Sequence, residues 1–119
     1  MDAGSSVDEY KLTLRRLALR DDRYIEGLLS GERATAASCI EPKAHALVRI
    51  ASLIAIDAAP PSYMSAVEEA LEAGASLDEI VGTLIAVMPI VGVARVVSAA
   101  PNLGLALGYD VAAALERAG

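Results

Sequence analysis

The chain is 119 residues long, 55% hydrophobic and only 3% aromatic, with a net charge of −6 and a pI near 4.6. That length holds one domain around one core, so a single domain over residues 1–119 is expected. An acidic surface excludes the phosphate neutralisation that nucleic acids require and disfavours an anionic bilayer, so neither a nucleic-acid nor a membrane partner is expected.

All four aromatic residues are Tyr, so the core must be assembled from Ala, Val, Leu and Ile. Small side chains bury little area each, and a domain this apolar has more to cover than its own interior holds; self-association is the natural outlet. The lone Cys39 has no internal disulfide partner, and one Cys with one His gives no metal-ligand spacing. No cofactor is expected. The opening MDAGSSVDEY has neither a basic nor an apolar leader region, which predicts no secretory signal and a cytoplasmic location.

In chain order, Ser6-Val7-Asp8-Glu9 fits an S-x-x-E capping box. It predicts a helix over 7–20 with Val7, Tyr10, Leu14 and Leu17 on one face. RDDRYIEGLLSG predicts a second helix over 22–30, closed by Gly31. GERATAASCIE reads as a connector or a weak helical turn. Pro42 suits a first helical position and opens a helix reaching about residue 58. Its inward positions are read as Ala44, Leu47, Val48, Ala51, Ile54 and Ala55, widened by Ile50, Leu53 and Ile56.

Pro60-Pro61 start the next helix, to about residue 73, with Tyr63, Val67, Ala70 and Leu71 inward and Glu68, Glu69 and Glu72 outward. Gly74 sits where a helix ends in left-handed conformation, and Ser76-Leu77-Asp78-Glu79 forms a second capping box. This pattern predicts an antiparallel helix pair.

The helix over 77–91 is apolar on every side, which marks it as central or buried between subunits. Pro89 is expected to kink or end it, and Pro101-Asn102 to disturb the following helix, which holds Val93, Val96 and Val97. Gly104 and Gly108 have the spacing that permits close helix contact, and a short helix ends the chain. The uncharged runs 80–94 and 96–109 are divided by Arg95. Each is shorter than the roughly 20 residues a spanning helix needs, so a buried helix pair is expected rather than a membrane hairpin.

ALEAGASLDEI, residues 70–80, resembles the ALxAGxTxEEI segment of the carboxymuconolactone decarboxylase and alkylhydroperoxidase D-like superfamily. Upstream, IEPKAHALVRIASLIAI at 40–56 is similar to the family's LDPKTRELIALAVA helix. Gly92-Val93-Ala94 is similar to its YAGxPAA turn. Together these cover about residues 40–100. The resemblance implies an all-α, compact multi-helix fold with a central antiparallel helix pair and a trimeric or hexameric homo-oligomer; the N-terminal helices read over 7–31 lie ahead of it.

The chemistry it implies depends on the branch. The redox branch carries Cys-x-x-Cys and a following His at positions that here hold Ala59, Ser62 and Ala66, so a thiol peroxidase is not expected. The decarboxylase branch often carries a His and a Tyr where this chain has Ala86 and Ile90, so a pocket there should be unusually apolar.

Glu41, His45, Arg49 and Ser52 share one helix face. Glu41 could orient the His45 imidazole for proton transfer and Arg49 could hold a carboxylate, or the stripe is a solvated face or subunit contact. Cys39 reads either as a nucleophile or as a small buried residue. Arg95, with Ser98 and Asn102 at helical spacing, either anchors an anionic ligand or pairs with an acid of another subunit. Tyr63 either lines that cleft or packs in the core. Two functions follow. One is a lyase or isomerase acting on a small carboxylated lactone or related acid, with Arg95 or Arg49 as anchor and His45 or Glu41 in proton transfer. The other is a non-catalytic oligomeric scaffold or small-ligand-binding member of the family.

Overall fold

A computed structural model describes the backbone of residues 3–30 and 33–118, and the side chains of 8–30 and 36–118. Among the described residues the protein is all α, with helices α1 (Ala3–Ala18), α2 (Asp22–Leu29), α3 (Arg33–Ser38), α4 (Pro42–Ala55), α5 (Pro60–Glu72), α6 (Leu77–Val91), α7 (Val93–Ala106) and α8 (Val111–Ala118). No described helix is long and apolar enough to cross a membrane. The chain separates into two compact units, Met1–Ile40 and Glu41–Gly119; the family-like stretch falls almost wholly in the second.

In the first unit, α1 already runs from Ala3. The Ser6–Glu9 box therefore lies inside the helix rather than at its cap; the side chain of Ser6 is outside the described residues. Asp21 caps α2, its Oδ1 accepting from the Tyr24 N–H at 3.2 Å. The Arg16 guanidinium lies 5.1 Å from the centre of the Tyr24 ring, a cation–π contact that ties α1 to α2. α2 ends at Leu29 with Ser30 as its cap; Gly31, expected to close it, lies outside the described residues. The segment read as a connector contains α3, which packs on α2. No described residue of this unit is fully buried, and Tyr10, Leu14 and Leu17, read as sharing one helix face, are exposed. Helices of 8 and 6 residues offer too little apolar surface to cover a 16-residue neighbour.

The second unit holds the core. α4 packs on α5 and α6, α7 packs on α5 and α6, and α8 closes against α7. Ile50 and Ile54 of α4, Tyr63, Val67 and Ala70 of α5, Ile80 of α6 and Ala99 and Leu103 of α7 are fully or almost fully buried. Each large aliphatic among them contributes about 1.5–3 kcal/mol by leaving water. On α4 the buried line is Ala46, Ile50 and Ile54, while Ala44, Val48 and Ala55 are exposed. The inward face is thus rotated from the expected one, because a helix nearly apolar all round does not declare its centre. On α5 the expectation holds at Tyr63, Val67 and Ala70 and fails at Leu71, which is exposed.

The stops of α4, α5 and α7 share one closure. After α5, Ala75 N–H donates to Ala70 O and Gly74 N–H to Leu71 O, both at 3.0 Å, with Gly74 at φ 91°. This is a complete Schellman stop. The capping box follows at once: Ser76 Oγ accepts from Glu79 N–H at 3.0 Å and Glu79 Oε1 from Ser76 N–H at 2.9 Å. Those bonds, with Lys43 Nζ 3.0 Å from Glu79 Oε2, hold the Glu79 carboxyl below its ordinary range, the Ser76 backbone N–H contributing most.

Pro89 and Pro101 lie inside α6 and α7, and neither ends its helix. Each is exposed, and each leaves one carbonyl of the preceding turn without its intrahelical N–H donor.

Gly104 serves a turn rather than a helix pair. α7 ends in another Schellman stop, with Tyr109 N–H on Gly104 O at 2.8 Å and Gly108 at φ 86°. A Cβ on Gly104 would come within 2.9 Å of both Tyr109 O and Val111 Cγ2. Because Tyr109 O is backbone and cannot swing aside, Gly104→Ala is expected to cost about 1–3 kcal/mol. A urea midpoint equal to that of the parent chain would show that the α7–α8 turn yields freely.

Candidate functional site

Two polar constellations interrupt the apolar second unit. The first is a cleft of about 550 Å³ between α4 and α5. α4 supplies Arg49, Ser52 and Leu53; α5 supplies Pro61, Ser62, Ser65, Ala66 and Glu69. The α5 positions follow at i, i+3, i+4 and i+7 from Ser62, so they share one face. Arg49 Nη1 stands 3.8 Å from Glu69 Oε1 with both side chains about half exposed. At that distance the pair attracts without a hydrogen bond, and an exposed pair of this kind is worth under about 1 kcal/mol. Ser52 Oγ donates to Val48 O at 2.9 Å and keeps its lone pairs. The hydroxyls of Ser62 and Ser65 have no partner among the described residues. Leu53, Ala66 and Pro61 make the apolar part of the wall.

The start of α5 borders this cleft and presents few donors. Its cap, Ala59, makes no side-chain hydrogen bond. Pro60 and Pro61 lack N–H groups, and Ser62 N–H is turned onto Ala59 O at 3.0 Å. Of the three positions where the resemblance would place redox residues, Ala59 is exposed at the cap, Ser62 lines the cleft and Ala66 is buried in its wall. Such a helix start offers little to stabilise a thiolate even if cysteines were present.

The second constellation joins the α4–α5 loop to α7. Asp57 closes α4: Asp57 N–H donates to Ile54 O and Ala58 N–H to Leu53 O, and Asp57 takes φ 54°, a conformation usually left to glycine. Its carboxylate accepts from Ser98 Oγ at 2.9 Å and lies 3.9 Å from Arg95 Nη1. Asp tolerates the left-handed region better than most residues, and here its side chain also links two helices. Beneath the loop, Tyr63 is 0% exposed, and its buried hydroxyl has no hydrogen-bond partner among the described residues. Burial first, and the negative charge of Asp57 second, push that hydroxyl above its ordinary pKa.

These placements sort the residues singled out in the sequence. Arg49 and Ser52 enter the cleft. His45 is half-buried one turn before Arg49 on the same helix, outside the cleft lining, and Glu41 is exposed at the α4 cap without a side-chain capping bond. Their connection is backbone, His45 N–H to Glu41 O at 2.8 Å. Arg95 has its acid, Asp57, in the same chain; Ser98 joins them, and the half-buried Asn102 does not. Tyr63 is core. Cys39 is exposed rather than buried, at φ 57°, with Sγ 3.7 Å from Ala37 O. Ala86 lines a shallow, largely apolar groove between α4 and α6 with Leu47, Val48 and Val87, and Ile90 is exposed.

Sequence reasoning missed Ser65, Glu69 and Asp57. Glu69 was assigned to a solvated face, and its i+7 relation to Ser62 was the available signal. The role of Asp57 depends on α4 stopping at Ala55, three residues earlier than the pattern suggested. No family model, curated protein or solved structure matches the chain.

Proposed function

We propose that this protein is a self-associating member of the carboxymuconolactone decarboxylase-like superfamily without the redox cysteines, and that its α4–α5 cleft binds a small carboxylated ligand through Arg49. The observation that carries the reading is the cleft itself. A guanidinium and two hydroxyls that have no partner among the described residues stand together over an apolar wall, the usual composition of a small-acid site. The family part rests on the motif around Gly74 and agrees with an all-α chain. The cleft lining holds no imidazole, phenol or thiol, and Glu69 is its one side chain able to exchange a proton with a bound acid, so binding through Arg49 is the simpler reading.

The lyase or isomerase reading keeps one observation in its favour. His45 lies one turn from Arg49 on the same face, where it would stand beside an anchored carboxylate. Turnover of a lactone acid that is abolished by His45→Ala, with binding retained, would favour that reading.

The test of binding is a thermal-shift series against small lactones and mono- and dicarboxylic acids at millimolar concentration. A ligand at 100 times its Kd adds about 2.7 kcal/mol. The expected result is a rise in Tm with at least one carboxylate, lost in Arg49→Ala and untouched by Arg95→Ala. A shift lost instead in Arg95→Ala would move the site to the α7 constellation, and no shift with any acid, zwitterionic amino acids included, would sink the cleft reading.

A further inference from the structure

The cleft carries two opposite charges, and that narrows what it takes. We infer that its ligand is a small aliphatic α-amino acid, bound as a zwitterion with its carboxylate on Arg49 and its ammonium on Glu69; the inference rests on the proposal that this cleft binds a carboxylate.

Arg49 Nη1 and Glu69 Oε1 are 3.8 Å apart, close enough to orient one another and too far to be bonded. Each therefore keeps its donors or lone pairs for a ligand. An α-amino acid carries its own two charges across a single carbon, so it can lie alongside this pair with each charge facing its opposite. A simple carboxylate would meet Arg49 favourably but also sit beside Glu69, and a dicarboxylate would do so twice. Like charges at that separation repel, so Glu69 selects against plain acids while Arg49 selects against plain amines. The hydroxyls of Ser62 and Ser65 serve either end of the ligand, because a hydroxyl both donates and accepts. Leu53 and Ala66 face the remaining space with apolar surface, which suits an unbranched aliphatic side chain and leaves a charged one unpaired.

The test is isothermal titration of the full chain with three matched probes: norvaline, pentanoate, which lacks the ammonium, and butylamine, which lacks the carboxylate. Norvaline is expected to bind at least about tenfold more tightly than either, the difference that one charge-assisted contact supplies. Glu69→Gln is expected to remove the preference for norvaline over pentanoate without weakening pentanoate, and Arg49→Lys to weaken both acids. Both changed residues are half exposed, and unchanged Tm values without ligand check that the variants fold. Equal binding of norvaline and pentanoate would overturn the inference and leave the carboxylate cleft standing. Butylamine binding as well as norvaline would overturn it by removing the role of Arg49. Binding of none of the three would remove the inference together with the reading it rests on.

Discussion

Tyr63→Ala is expected to lower the free energy of unfolding by about 3–5 kcal/mol, while Tyr63→Phe leaves it unchanged or raises it. Tyr63 is the one aromatic side chain in the described core and is 0% exposed. Its neighbours in that core are Ala, Val, Leu and Ile, too short to collapse into the space a lost ring leaves. Set against a total of about 5–15 kcal/mol for an ordinary domain, the alanine variant stands at the edge of folding. The hydroxyl works the other way, because it is buried without a partner among the described residues and its lost hydration goes uncompensated. Urea denaturation measures both variants. A loss above about 1 kcal/mol in Tyr63→Phe would mean that the hydroxyl finds a partner in solution.

The same residue sets a pH dependence. Its folded-state pKa is raised above the ordinary 10.0, chiefly by burial and then by the Asp57 charge. As pH rises past about 10 the unfolded chain releases this proton first, so stability falls from there until the folded-state value is passed. Below that window the hydroxyl is protonated in both states and contributes no slope. Tyr63→Phe is expected to flatten this fall relative to the parent chain; parallel profiles would remove Tyr63 from the explanation.

Ile85→Glu is expected to dissociate the proposed self-assembly into a monomer of 12.3 kDa. α6 shows Val81 and Ile85 on one exposed face, with Ile85 69% and Ile90 88% exposed, and α7 adds exposed Val93 and Val97. Large aliphatic side chains exposed on two packed helices are surface that self-association would cover. A glutamate within a contact made of such residues would have to lose its hydration with no cation to pair with, a penalty of several kcal/mol. Size-exclusion chromatography with light scattering reads the result directly. A parent chain that is already monomeric at tens of micromolar would sink the self-association proposal, and an unchanged oligomer in the variant would move the contact to another face.

Local signals and tertiary outcomes part company at identifiable places. The Gly74 stop and the Ser76–Glu79 box were legible because both are short-range: a left-handed glycine, then a hydroxyl and a carboxylate three residues apart, satisfy backbone groups in their own turn. The prolines at 42 and 60–61 announced two helix starts for the same reason. The all-α class, which the resemblance implies, agrees with the helices of the described residues. The inward face of α4 was not legible, since Ala44, Val48, Ile50 and Ile54 are equally apolar and only the neighbouring helices choose among them. Pro89 and Pro101 lie within α6 and α7 without ending either, and α6 stops at Val91, the end read from the sequence.

The candidate site divides the same way. Arg49 and Ser52 were visible as members of one stripe on one helix. Ser62, Ser65 and Glu69 meet them only because α4 and α5 pack side by side, and Arg95 meets Asp57 only because α7 lies against the α4–α5 loop. The sequence by itself determined the Gly74 stop, the Ser76–Glu79 cap, the proline-led starts of α4 and α5 and the surplus of apolar surface, all of which rest on contacts within a turn or on composition. The tertiary structure alone decided which charges face one another, because that depends on residues 20 to 40 positions apart being brought together by the burial of side chains that carry no charge at all.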